Sequence, residues 1–192
     1  MKNICFTIPI LLLLAGCRSY PANFTPIYDG QNTGLDSFIN IEGYYVSPQG
    51  CDSSFYSMYM FYPDGLFTIA TVSAVHPELV KCFENGGQSV ACNYPLWGTY
   101  RVDGDVIKTQ VIRPEGGGCV IFRDYKILPD GRIVNVSDYL QTEYTRLGYM
   151  ANYPSFQDNP CKQPANFFPL KQRRNKEDCP YLKKKWFWRK SK

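Results

Sequence analysis

The chain has 192 residues, a formal net charge of +4 and a single histidine. That length suits one domain with tails and can bury a real core without a covalent staple. Aromatic residues make up 16% of the chain, 15 of them tyrosine, against 20% charged residues, which points to β structure rather than a helical bundle. The charge is uneven: residues 171–192 hold ten Lys and Arg against two acids, and residues 17–170 hold ten against fifteen. A mildly acidic body therefore precedes a strongly basic end.

At the start, Lys2 is followed by an apolar stretch from Ile4 to Leu14, broken only by Thr7 and Pro9, and then by Ala15 and Gly16. The stretch is too short for a permanent membrane span, and charge, short apolar core and small-residue exit form the secretory pattern. Leu14-Ala15-Gly16-Cys17 resembles the lipobox of bacterial lipoproteins. The resemblance implies removal of residues 1–16, attachment of diacylglycerol to the Cys17 sulfur and acylation of its new amine by a fatty acid such as palmitate. Two or three acyl chains tether stably where one does not. In that family an Asp just after the cysteine often retains the protein at the inner membrane. Here Arg18 and Ser19 follow, so the resemblance favours the outer membrane. The alternative is an ordinary secreted chain whose Cys17 pairs elsewhere.

Residues 17–37 carry Pro21, Pro26, Gly30 and Gly34 with little periodicity and read as a tether. A domain over residues 38–149 follows. Ile39, Ile41, Gly43 and Tyr45 alternate with Asn40, Glu42 and Tyr44, as in a half-buried strand. Phe55 to Tyr62 is an aromatic and methionine run, turned by Pro63-Asp64-Gly65 into Leu66 to Val72. Residues 73–94, with His76, Cys82 and Cys92, form a long excursion. Leu96 to Val102 and Asp105 to Ile112 pair across Asp103-Gly104. After a wide turn at residues 114–118, Cys119 to Leu128 returns through Pro129-Asp130-Gly131 to Arg132–Ser137. An eighth strand is expected within Thr142 to Tyr149. Seven or eight evenly spaced strands without crossover helices predict an all-β, up-and-down antiparallel meander, closed or partly open as a barrel. An open sandwich fits the same pattern.

Gly43-Tyr44-Tyr45 sits where lipocalin-like barrels carry Gly-x-Trp, and Trp97-Gly98-Thr99-Tyr100 before the Asp103-Gly104 hairpin resembles their middle strands. Tyr45 in place of the tryptophan is a departure. The resemblance implies a lipocalin-like barrel over residues 38–149.

Residues 150–192 form a proline-rich, basic C-terminal extension. Of eight cysteines, Cys5 falls in the leader and Cys17 carries the anchor. Cys51, Cys82, Cys92, Cys119, Cys161 and Cys179 remain, an even set in an exported chain. Of fifteen possible connectivities, Cys82–Cys92, Cys161–Cys179 and Cys51–Cys119 is the expected one. A metal site is not expected, because no Cys-x-x-Cys occurs and His76 is the only histidine.

No catalytic constellation is expected. His76 precedes a proline in a loop, Asp103 and Asp105 flank a turn, and Glu115-Gly116-Gly117-Gly118 lacks the Lys-Ser/Thr of a phosphate loop. Two binding surfaces are candidates. Tyr45, Met58, Met60, Phe67, Trp97 and Tyr100 would line a pocket for a small apolar or sugar ligand. Lys183, Lys184, Lys185, Trp186, Trp188 and Arg189 would lie on an anionic membrane surface. The expected protein is thus a non-enzymatic envelope lipoprotein that needs no cofactor and binds no nucleic acid. It would be held to the outer membrane through lipid on Cys17 and would bind a small ligand. The alternative is a structural or assembly accessory contacting another envelope protein or anionic lipid.

Overall fold

Pro63-Asp64-Gly65 reverses the chain as its residue types demand. The computed structural model describes residues 21, 24–48, 55–73, 95–114, 119–140, 163–171 and 173–190. In it Gly65 takes φ 90°, a left-handed conformation that glycine adopts without a Cβ clash. The strands are β1 (Gly43–Pro48), β2 (Phe55–Phe61), β3 (Leu66–Ser73), β4 (Leu96–Asp103), β5 (Val106–Arg113), β6 (Cys119–Ile127), β7 (Ile133–Leu140) and β8 (Asn166–Pro169). They form one eight-stranded antiparallel sheet in the order β7-β6-β5-β4-β3-β2-β1-β8. The Ala165 N–H donates to the Ile133 carbonyl at 2.7 Å, bringing the two sheet ends together into a nearly closed, lipocalin-like barrel. The all-β meander read from the sequence is therefore the fold.

Three boundaries differ from the sequence reading. The alternation from Ile39 to Tyr45 becomes a strand only at Gly43; Leu35–Ser37 is a 3-10 turn, and Leu35, Ile39 and Ile41 are buried in the inner core. The eighth strand comes from the C-terminal extension, at Asn166–Pro169, and pairs with β1; the expected position at residues 142–149 lies outside the described residues. Of residues 17–37, expected to be a tether, the described part from residue 24 onward is packed on the barrel, with Phe24, Tyr28 and Leu35 buried. Its aromatic side chains have an apolar surface to cover, and that outweighs the flexibility its prolines and glycines suggest.

Register decides which side chains share a face. One row across the sheet is Phe61, Phe67, Gly98, Val111 and Ile121; the next is Met60, Thr68, Trp97, Ile112 and Val120. The first row belongs to the inner core and the second to an outer one. The inner core is filled by interlocked rings. Phe61 lies 4.9 Å from Phe67 and 5.4 Å from Tyr100, and Tyr59 lies 5.0 Å from Tyr125, centroid to centroid. Gly98 in this row permits a close approach of the β4 and β5 backbones, since a Cβ there would stand 1.8 Å from the Gln110 carbonyl oxygen.

The outer core exists because both chain ends cover the sheet. Phe24 and Tyr28 from one end meet Cys179, Tyr181, Trp186 and Phe187 from the other, over Met58, Met60, Tyr62 and Trp97. Residues 173–189 thus form a strap. Its start is fixed by the Tyr62 hydroxyl donating to the Arg174 carbonyl at 2.9 Å, and by Arg173 donating to the Ile41 and Phe61 carbonyls. Asp64, buried in the β2–β3 turn, accepts from Tyr28 Oη at 2.9 Å and Lys176 Nζ at 2.8 Å. One carboxylate therefore joins both chain ends to the barrel.

Candidate functional site

The six residues expected to line one pocket divide between the two cores. Tyr45, Phe67 and Tyr100 point into the barrel, while Met58, Met60 and Trp97 lie on the outer face beneath the strap. Tyr45 pairs with Tyr59 across β1 and β2, so Met58 and Met60 are one step out of phase with it. They cannot line a common cavity. The inner three are committed to packing and to closing the barrel end. Tyr100 Oη donates to the Tyr62 carbonyl at 2.6 Å and lies 2.9 Å from Thr33 Oγ1. Burial raises the Tyr100 pKa well above the usual phenol range.

One cavity formed by the described residues lies outside the barrel, at the end carrying the β2–β3 and β6–β7 turns. It is a cleft of about 700 Å³ bounded by residues 36–42, Tyr45, Pro63, residues 130–132 and Phe167. Ile39, Ile41 and Tyr45 are buried beneath it, and Phe38 projects with 49% of its surface exposed. The segment over the barrel end is pinned in place. Glu42 N–H donates to Asn40 Oδ1 at 2.9 Å, and Tyr45 Oη donates to the Asn40 carbonyl at 2.9 Å. Burial is the main reason the Tyr45 hydroxyl is pushed up to about 12. Asp130 accepts from the Arg132 N–H and from Arg132 Nε at 2.7 Å, and these hydrogen bonds hold its carboxyl below the usual range. The cleft thus combines an apolar floor, one projecting ring, the carboxylates Asp36, Glu42 and Asp130, and a guanidinium. Sequence reading saw its parts only as strand alternation and a turn; nothing local shows that residues 36–42 and 130–132 meet.

The basic end is a folded element. Tyr28 and Trp188 form a parallel bridge, and Arg189 N–H donates to the Tyr28 carbonyl at 2.7 Å. Phe187 is buried, stacked 5.4 Å from Phe24, and Trp186 is half-buried 5.3 Å from the same ring. Lys183, Lys184, Lys185 and Arg189 are exposed, and Trp188 is partly so. The six residues expected to face a membrane therefore separate: five present an outer surface, and Trp186 packs inward.

Cys179 is a free, buried thiol within the outer core, so the expected Cys161–Cys179 bridge is not formed in this structure. Cys51, Cys82, Cys92 and Cys161 lie outside the described residues, as do the Cys119 side chain, His76 and Cys17. Burial raises the Cys179 thiol from its ordinary value near 9 to about 11. A raised pKa means the fold favours the protonated thiol. That contribution is complete below pH 9 and is lost as pH rises through 11. Iodoacetamide, which attacks the thiolate, should modify native Cys179 at pH 8 about 100-fold more slowly than the urea-unfolded chain, read by peptide mass. Equal rates would place the thiol in solvent.

Among the described residues no three His, Cys, Asp or Glu side chains gather as metal ligands, and no helix is long and apolar enough to cross a membrane. Asp103 and Asp105 pair with Lys108 and Lys126 on the exposed outer surface. Comparison with protein-family models, curated proteins and solved structures finds no match for this chain.

Proposed function

We propose that the protein is a non-enzymatic outer-membrane lipoprotein, anchored through lipid on Cys17, that binds a small sugar-like or partly apolar ligand in the cleft at the closed end of its barrel. The observation that carries this reading is the cleft itself. Its volume of about 700 Å³ falls within the usual range for small-molecule sites. An exposed ring beside carboxylates and an amide suits a sugar: the C–H face stacks on Phe38, and hydroxyls donate to Asp36, Asn40 and Glu42. The hydrolytic alternative is weaker, because Asp130 is held ionised by Arg132 and makes a poor general acid at neutral pH.

The test is calorimetric titration of the protein with neutral mono- and disaccharides and with short fatty acids. Binding of one class should weaken about tenfold or more in Phe38→Ala, as for an aromatic anchor at a site centre. An unchanged affinity in that variant, or no heat from any ligand at millimolar concentration, would remove the cleft from consideration. A second reading, an assembly accessory that contacts another envelope protein, is favoured by one feature: rings fill the described interior, so the barrel offers a partner its surfaces.

A further inference from the structure

We infer that the outer face of the strap is the side of the protein that meets the membrane, with Lys183, Lys184, Lys185, Trp188 and Arg189 binding the anionic phosphates of lipid headgroups. This rests on the lipid anchor at Cys17 and deepens it: the anchor tethers, and the strap orients.

The first support is the way the strap uses its cations. Those at its start are engaged inward or along the chain: Lys176 with Asp64 at 2.8 Å, Arg174 with Asp178 at 3.4 Å and Arg173 with Glu42 at 3.6 Å. Lys183, Lys184 and Lys185 are exposed and have no ion-pair partner among the described residues. Arg189 keeps 65% of its side-chain surface exposed while 3.7 Å from Asp29. A folded surface presenting unpaired cations is an electrostatic footprint for an anionic partner.

The second support is the tryptophan beside them. Trp188 Nε1 donates to the Leu182 carbonyl at 2.8 Å, and its ring lies 4.7 Å from Tyr28. The indole is thereby fixed with its polar atom satisfied and 38% of its surface outward. A ring held this way next to lysines suits the headgroup boundary, where apolar and charged groups are solvated together.

The third is the position of the anchor. Pro21 is buried, and its carbonyl accepts from Phe24 N–H at 3.2 Å; Phe24 packs on Trp186 and Phe187. Only four residue steps separate Cys17 from Pro21, about 14 Å when fully extended. Acyl chains on Cys17 therefore enter the bilayer beside the strap and hold its lysines at high effective concentration near the headgroups. A source of phosphate in solution lacks that constraint, so the membrane carrying the anchor is the committed partner.

The experiment uses the full mature protein in phosphatidylcholine vesicles with and without phosphatidylglycerol. Lysines are labelled with an amine-reactive reagent and read by peptide mass. Labelling of Lys183, Lys184 and Lys185 should fall about fivefold on the anionic vesicles and recover at high salt, while Lys126, paired with Asp105, stays unchanged. In the Lys183→Glu, Lys184→Glu, Lys185→Glu variant, labelling of Lys190 should no longer depend on vesicle composition. Equal labelling of the three lysines on both vesicle types overturns the inference. The N-terminal peptide in the same digest reports lipid on Cys17 separately. If it carries none, cosedimentation of the unanchored chain decides: anionic-vesicle binding lost in the triple variant upholds the surface, and no binding overturns it.

Discussion

Phe61→Ala should lower the unfolding free energy by about 3–5 kcal/mol, with the urea midpoint falling and the m-value unchanged. Phe61 is 1% exposed and has four aromatic neighbours, Phe67, Tyr100, Tyr45 and Tyr125, within 6.5 Å centroid to centroid. Truncation removes the ring that all four touch. Because they come from four different strands, they cannot collapse into the space without moving backbone. The control is Phe55→Ala. Phe55 is on the same strand and of the same parity, yet it is 51% exposed at the other end of the barrel. Its loss should stay near 0.5 kcal/mol. Equal costs for the two variants would mean that the interior is loose enough to hold cargo, and the inward pocket would return as the ligand site.

The contrast between these phenylalanines also shows what the sequence could and could not reveal. Turns were legible because their chemistry is local: Pro63-Asp64-Gly65 and Asp103-Gly104 each reverse the chain at a glycine with positive φ. The positions of β2 to β7 were legible from composition and spacing, whereas β8 comes from the proline-rich extension, where no strand pattern shows. Facing was not legible in β2, where every residue from Ser57 to Phe61 is buried. A strand covered on both faces carries no polar alternation, so nothing in Phe55–Tyr62 says which parity faces inward. Composition alone therefore groups Met58 and Met60 with Tyr45, although the two methionines lie under the strap. The cause sits more than a hundred residues away, in Phe187 and its neighbours, which make the outer face apolar. Pro21, Pro26, Gly30 and Gly34 suggested a tether because local composition records backbone freedom and not the contacts of Phe24 and Tyr28. The closed-end cleft was hidden for the same reason, since its two walls meet only through barrel closure.

Phe187→Ala should produce the second large effect, and of a different kind. Phe187 has no exposed surface and lies 5.4 Å from Phe24, 5.4 Å from Tyr28 and 5.8 Å from Tyr181. A buried aromatic of this sort is worth about 3–5 kcal/mol, but here part of the loss can be taken locally. The start of the strap has its own attachments, through Lys176 to Asp64 and Tyr62 to Arg174. Beyond Cys179, Phe187 is the ring on which the strap turns back over Phe24 and Tyr28. The variant should therefore open from the C-terminal end while the barrel stays folded. Two readouts separate local opening from global unfolding. Trypsin cleavage after Lys183, Lys184 and Lys185 should accelerate at urea concentrations where the β-sheet circular dichroism is unchanged. Alkylation of Cys179 should accelerate in parallel, because the same ring cluster covers its thiol. If cleavage and alkylation rise only together with loss of the sheet signal, the strap is an integral layer of the barrel rather than a separable cover. The surface presenting Lys183, Lys184, Lys185, Trp188 and Arg189 would then be fixed as rigidly as the sheet beneath it.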